Sequence, residues 1–239
     1  MPPQGSPSSP LESWYAEAFL PLEEDSPQEE YLKSRGMLSS WISELGVRVF
    51  PPNFGPFPSG LGTKLEDTLR QVASWREGAM VFPLRTFRGT LGGLELRDLQ
   101  KNITHHVFES VGEFSPLWLG FSNSQMEILW KTGVLWLVEG LFDAVALRHL
   151  LGREGAVWAA GTARLTDAQI ECVRRFAQKV YLAFDMDKPG RQGQARALRA
   201  LEELGVPVLS VEWRGSKDFG HLWDMGGRER LREHLVAFV

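Results

Sequence analysis

VLWLVEGLFDAVALRHLL, residues 134–151, decides how this chain folds. Its first five residues, Val134 to Val138, are all apolar, as in a strand buried on both faces. A Glu-Gly pair breaks the run, and residues 141–151 then repeat their apolar positions at helical spacing. The strand-then-helix step recurs downstream. Residues 156–160 read as a second strand. Thr166 and Gln169 form a capping box that opens a helix over 167–178. Residues 180–184 read as a third strand, 192–204 as a helix and 206–212 as a fourth strand, with helical segments from about Gly226. Such alternation predicts an α/β fold, a parallel sheet with helices on its faces.

Upstream the pattern differs. Residues 2–10, PPQGSPSSP, read as a disordered tail. Short helices are expected around 14–19, from the Ser26-Pro27 cap, and over 38–45, where Gly46 stops the last. Residues 51–63, PPNFGPFPSGLGT, form a long loop, and 64–75 a helix. Strands are expected at 79–85, 90–97 and 105–109, the first two joined by the turn at Thr86 to Gly89. A capping box of Ser122 and Gln125 is expected to open a helix through 130. The expected division is therefore a tail over 1–10, a smaller α+β subdomain over 11–132, and the parallel-sheet domain over 133–239.

Composition narrows the function classes. The chain has 239 residues with 26 Lys and Arg against 30 Asp and Glu, a formal charge of -4, which argues mildly against a nonspecific nucleic-acid binder. Residues 1–132 hold 11 basic and 16 acidic side chains; 133–239 hold 15 and 14. The single cysteine, Cys172, excludes a disulfide framework and any zinc module built on cysteines. No apolar run approaches the roughly 20 residues of a membrane span, and the tail lacks a signal-peptide core. The expectation is a cytoplasmic protein with no membrane partner.

In an open parallel sheet the working site lies at the carboxyl ends of the strands. Glu139 follows the first strand, with Asp143 one helical turn on; Asp185 and Asp187 follow the third; Lys217-Asp218 follow the fourth. Any one Asp after a strand is most often a helix cap or a solvated loop residue. Five carboxylates drawn to one edge repel one another unless a cation compensates. Oxygen ligands without His or Cys select Mg²⁺ or Mn²⁺ over zinc. His105 and His106 belong to a strand and have no third ligand at metal spacing. Most tryptophans, Trp118, Trp136 and Trp158 among them, sit in apolar runs and are assigned to the core.

VEGLFDAVAL, AAGTARLTDAQ, YLAFDMDKPGRQG and SKD resemble the successive motifs of a Toprim domain, the metal-binding fold shared by DnaG-type primases, topoisomerases and some nucleases. Within that group the likeness is to bacterial and phage primases. The Gly161-Thr162-Ala163 segment resembles theirs, as do YLKSRGM at 31–37 and MVFPLRTFRGTLGGLELR at 80–97. The resemblance implies a Toprim-like sheet and a primase-type polymerase core that makes short primers on single-stranded DNA from nucleoside triphosphates. It implies Glu139 as metal ligand or general base, Asp185 and Asp187 as metal ligands and catalytic residues, and Asp143 and Asp218 as further ligands. Arg35, Arg76, Arg85, Arg97, Lys101, Lys188, Arg191 and Lys217 become expected nucleotide or template contacts. The chain departs from the pattern at Phe219 and Gly220, where primases carry Pro and a second Asp. Pro189 and Gly193 replace alanines, which implies a stiffer loop after Asp187. Primases of this type add a zinc-binding domain and a helicase-binding domain. The expectation is a stand-alone core with neither, whose template selection falls to residues 1–132 or to a partner, a replicative helicase among them. A Toprim nuclease and a non-catalytic replication module are the alternatives.

Overall fold

The computed structural model describes residues 10–52, 78–99, 103–108, 116–213 and 216–235. Its N-terminal part contains α1 (Pro10–Ala18), β1 (Leu20–Pro21), α2 (Pro27–Ser34), α3 (Ser39–Leu45), β2 (Arg48–Val49), β3 (Met80–Thr86), β4 (Leu91–Asp98), β5 (Ile103–Phe108) and β6 (Leu117–Leu119). Then follow α4 (Asn123–Thr132), β7 (Val134–Val138), α5 (Leu141–Leu151), β8 (Ala156–Ala159), α6 (Asp167–Phe176), β9 (Lys179–Leu182), α7 (Lys188–Glu203), β10 (Val208–Ser210) and α8 (Phe219–Leu235).

The strands form one sheet in the order β1-β2-β3-β6-β8-β7-β9-β10, with β4 and β5 branching from β3. Strands β7, β8, β9 and β10 are parallel, and the ladders of β1 to β6 are antiparallel. The two kinds of sheet meet where β6 pairs with β8 at Leu119 and Ala159. Residue 132 thus marks a change of strand direction within a continuous sheet.

Alternation along β7 explains the layers. Leu135 and Leu137 pack on one face with Trp158, Val173, Phe184 and Leu201. Trp136 and Val138 pack on the other with Phe142, Leu147 and Leu222. That second core also takes Leu32, Met37, Ile42 and Leu45 from α2 and α3, so both halves of the chain share it. A third cluster joins Trp14, Tyr15 and Phe19 to Val81, Leu94 and Leu96. Burying each such side chain stabilises the fold by about 1.5–3 kcal/mol.

The helix signals mostly hold. Ser26 caps α2, accepting from the Glu29 N–H, and Gly46 closes α3 at φ 69°. The Thr166–Gln169 capping box closes in both directions, opening α6. The box expected at Ser122 does not form. Gln125 instead turns inward and accepts the Val157 N–H at 2.8 Å, while the Ser122 hydroxyl meets that of Ser124. A buried strand N–H is costlier to leave unpaired than a solvated helix end, so it takes the glutamine.

Helix α7 begins at Lys188, four residues before the expected start, because Pro189 fits a first turn and Asp187 caps it. The fourth strand is shorter than expected. Helix α8 starts at Phe219, and Gly226-Gly227, expected to open it, break it instead. The expected tail, the 51–63 loop beyond Pro52 and the 64–75 helix lie outside the described residues. Cys172 is buried, and burial pushes its thiol up to about 12.

Candidate metal centre

The strand ends β7 and β9 and the starts of α5 and α8 frame a cavity of about 280 Å³. Four of the five expected carboxylates line it: Glu139, Asp143, Asp185 and Asp218. A fifth acidic wall residue, Glu95 of β4, is 4% exposed and was not among the expected ligands. Its signal was an acid between Leu94 and Leu96, a polar residue in an otherwise apolar strand.

Backbone amides hold these carboxylates in place. Glu139 Oε1 accepts the Asp185 N–H at 3.0 Å. Asp143 Oδ1 accepts the Gly220 N–H at 2.8 Å. Asp218 Oδ1 accepts the His221 N–H at 2.6 Å, in the first turn of α8. Gln194 of α7 supports the end of β9 by accepting the Phe184 N–H, and donates to Ser210 and Val211 on the neighbouring strand.

The electrostatics are those of crowded acids. Burial, then the charges of Asp143, Glu139 and Asp218, push Asp185 up to about 8, with Lys217 opposing. Burial and Asp218 push Asp143 up to about 6. Glu139 is raised by burial, then by Asp187 and Asp218. Lys217 stands 3.5 Å from Asp218 and 3.9 Å from Asp185.

Two arginines complete the cavity wall. Arg35 and Arg97 each lie 4.6 Å from the ring centre of Phe142, so one aromatic ring carries both guanidinium groups. Arg35 also pairs with Asp224 at 3.2 Å. A Cβ on Gly220 would meet Arg35 Nη2 at 2.9 Å, so the guanidinium occupies the space a side chain there would need.

Other expected contacts lie elsewhere. Asp187 is exposed outside the cavity wall, its Oδ1 accepting the Gly190 N–H at 2.9 Å as the cap of α7. Arg85 pairs with Glu12 at 2.9 Å, and Arg191 donates to the Met186 carbonyl; neither lines the cavity. Lys188 is exposed at the start of α7 and does not line it either. Arg76 and Lys101 lie outside the described residues. The segment after Asp187 is a helix rather than a stiff loop. At Gly193 a Cβ would stand 1.7 Å from the Ala163 carbonyl oxygen, so the position admits only glycine without rearrangement.

Among the described residues, no three His, Cys, Asp or Glu side chains already stand close enough to hold one ion. The donor set nevertheless suits a hard divalent cation. Its acids are oxygen donors, and Glu139, Asp143 and Asp185 among them have raised proton affinity that one lysine offsets only in part. A bound cation would favour the ionised forms of Asp143 and Asp185, whose protons would pass to solvent.

The chain has relatives of known name. Residues 136–222 match the family described as Toprim-like. A DNA primase of Clostridium acetobutylicum is 31% identical over 106 residues, 43% of this chain and 17% of that protein. A DNA primase of Aquifex aeolicus is 27% identical over 239 residues, covering 92% of this chain and 46% of that one. The chain thus spans less than half the length of these relatives. A DNA primase domain from Pseudomonas aeruginosa superposes with a TM-score of 0.67 at 20% identity, over 96% of this chain and 78% of that one. A DnaG primase catalytic domain bound to single-stranded DNA superposes with a TM-score of 0.65 at 20% identity, over 88% and 73%. Residues 136–222 are thus similar to the Toprim-like family, and the chain as a whole has the fold seen in the catalytic cores of DnaG-type primases.

Proposed function

We propose that the chain is a primase core that joins nucleoside triphosphates into short primers on single-stranded DNA. The observation that carries this is the meeting of four strand-end carboxylates with Arg35, Arg97 and Lys217 in one cavity. Pure metal storage needs no arginines, and pure phosphate binding needs no acids. Nucleotidyl transfer needs both.

In this reading Asp143, Asp185 and Asp218, with Asp187 beside them, would hold Mg²⁺ or Mn²⁺, and Glu139 is left to act as base. When bound, such an ion polarises the triphosphate and stabilises the leaving pyrophosphate. Arg35, Arg97 and Lys217 neutralise the triphosphate and orient it. Glu139, with Oε1 fixed by the Asp185 N–H and its proton affinity raised, takes the proton of the attacking 3′-hydroxyl. The new bond joins that oxygen to the α-phosphorus, and the bond to pyrophosphate breaks. The oxygen-only donor set favours magnesium or manganese over zinc. Among the described residues no helix is long and apolar enough to cross a membrane. We place the activity in the cytoplasm, beside a replicative helicase or a separate template-recognition protein.

Incubating the protein with labelled single strands and Mn²⁺ or Mg²⁺, with and without nucleoside triphosphates, tests the reading. Nucleotide-dependent extension is expected, and an Asp185→Ala, Asp187→Ala double variant should lose it by at least a hundredfold (about 2.7 kcal/mol in the barrier). Cleavage without nucleotides would instead assign the same cavity to a nuclease.

A further inference from the structure

Arg148 stands in the last turn of α5, at the end of that helix away from the carboxylates. It is 5% exposed. Its Nη2 donates to the Gly120 carbonyl at 2.7 Å and the Val157 carbonyl at 3.1 Å, and its Nε has no hydrogen-bond partner. Among the described residues no carboxylate forms an ion pair with it. Glu44 is the acid whose field reaches it, although the two form no ion pair, and both Glu44 oxygens engage Ser124. Ser124 donates its N–H to one at 3.1 Å and its hydroxyl to the other at 3.0 Å. The carbonyl dipoles and the helix end offset part of the arginine's charge, but none carries a full negative charge. Burial is severe enough to pull its pKa down to about 10. Buried charges are ordinarily paired, since an unpaired one is costly to desolvate.

This guanidinium lines a cavity of about 290 Å³ between α3, α4 and the turn after α5. Exposed Lys131 and Arg153 line it too, and Trp41 forms an aromatic wall. Glu127 is the sole acid among its described lining residues. Three cations on the wall, against Glu127 there and Glu44 beside Arg148, leave the cavity net positive. The volume lies at the low end for ligand pockets, roughly 300 Å³, which suits one or two phosphoryl groups rather than a whole nucleotide.

We propose that this cavity is an anion site that takes a phosphate or diphosphate group, met by Arg148 from within and by Lys131 and Arg153 at the mouth. It shares no lining residue with the carboxylate cavity and does not depend on the nucleotidyl-transfer reading. The group can arrive as a free inorganic anion or as the phosphate of a nucleotide.

Calorimetric titration of the intact protein with inorganic phosphate, pyrophosphate and adenosine monophosphate tests this. Divalent cations are left out, so that no metal at the carboxylate edge draws the anions there. One saturable equivalent is expected for at least one of them. Its affinity should fall about tenfold or more in a Lys131→Ala, Arg153→Ala double variant, as loss of charge-assisted contacts requires. Both positions are exposed, and an unchanged circular-dichroism melt shows that the fold survives. Tighter binding of pyrophosphate than of the monophosphate ester assigns a free anion, and the reverse order a nucleotide. No saturable binding of any of the three, or equal affinity in the double variant, overturns the proposal.

Discussion

Phe142 holds two guanidinium groups, and a residue with no charge of its own thereby shapes the charge of the site. Each cation–π contact is worth about 0.5–2 kcal/mol, more where water is excluded. Phe142→Leu is expected to raise the KM for the nucleoside triphosphate about tenfold with a smaller change in kcat. Phe142→Tyr, which keeps the ring, should stay near the parent value. Steady-state kinetics of both variants separate this from simple loss of packing, because the leucine variant also melts lower.

The acids of the site carry a pH signature. Asp143 and Asp185 hold protons in the folded chain up to about pH 6 and about pH 8, far above their unfolded values. Between about pH 4 and pH 8 the folded state therefore binds more protons than the unfolded state, and stability falls as pH rises. The lowered acids, Glu29 and Glu171, act the other way, gaining stability as pH rises through the ordinary carboxylate range, so they oppose the trend only at the low end of this window. The metal-free protein is expected to melt higher at about pH 5 than at about pH 8. Added Mg²⁺ or Mn²⁺ should raise the melting temperature at about pH 8 and narrow the gap. Thermal scans with and without the cation read both effects.

At the scale of elements, α7 shows packing overruling propensity. Glycine within a helix costs about 1 kcal/mol relative to alanine, so Gly193→Ala should stabilise the helix on propensity alone. Here the added Cβ would stand 1.7 Å from the Ala163 carbonyl oxygen, a backbone atom that cannot rotate away. Overpacking of this kind costs about 1–3 kcal/mol or more. The variant is expected to be less stable than the parent by at least about 1 kcal/mol in urea unfolding. Gly190 faces the same constraint, with a Cβ 2.2 Å from the Asp185 carbonyl and 2.6 Å from Glu139 Oε1. The two glycines let α7 lie against the strand end and the loop after β8, which is how Asp187 comes to cap a helix beside Asp185.

At the scale of the molecule, the continuous sheet and the shared core tie the two halves together. Leu32 of α2 packs in the same cluster as Val138 of β7 and Leu222 of α8. Leu32→Ala should cost about 2–5 kcal/mol. Because the core is shared, tryptophan fluorescence and far-ultraviolet dichroism should report one coincident unfolding transition in both parent and variant. Two separated transitions would show that the halves unfold independently.

Much of this protein was legible before any coordinates. The bounds of β7 and α5 follow from the apolar run at 134–138 and the helical spacing after it. Glu139, Asp143, Asp185 and Asp218 are found together because parallel strands must end on one edge, and that rule acts on order along the chain. What sequence order alone cannot supply is competition for a partner. Gln125 had a local use at Ser122 and was drawn to Val157; Asp187 stood beside Asp185 and was drawn to the start of α7. Glu95 entered the site from β4, through its pairing with β3, and Arg148 was drawn inward to the Gly120 and Val157 carbonyls. Local order determined which groups reach the edge of the sheet. Tertiary contact decided which of them face the cavity, because a buried polar group takes the nearest partner in space, whatever its distance along the chain.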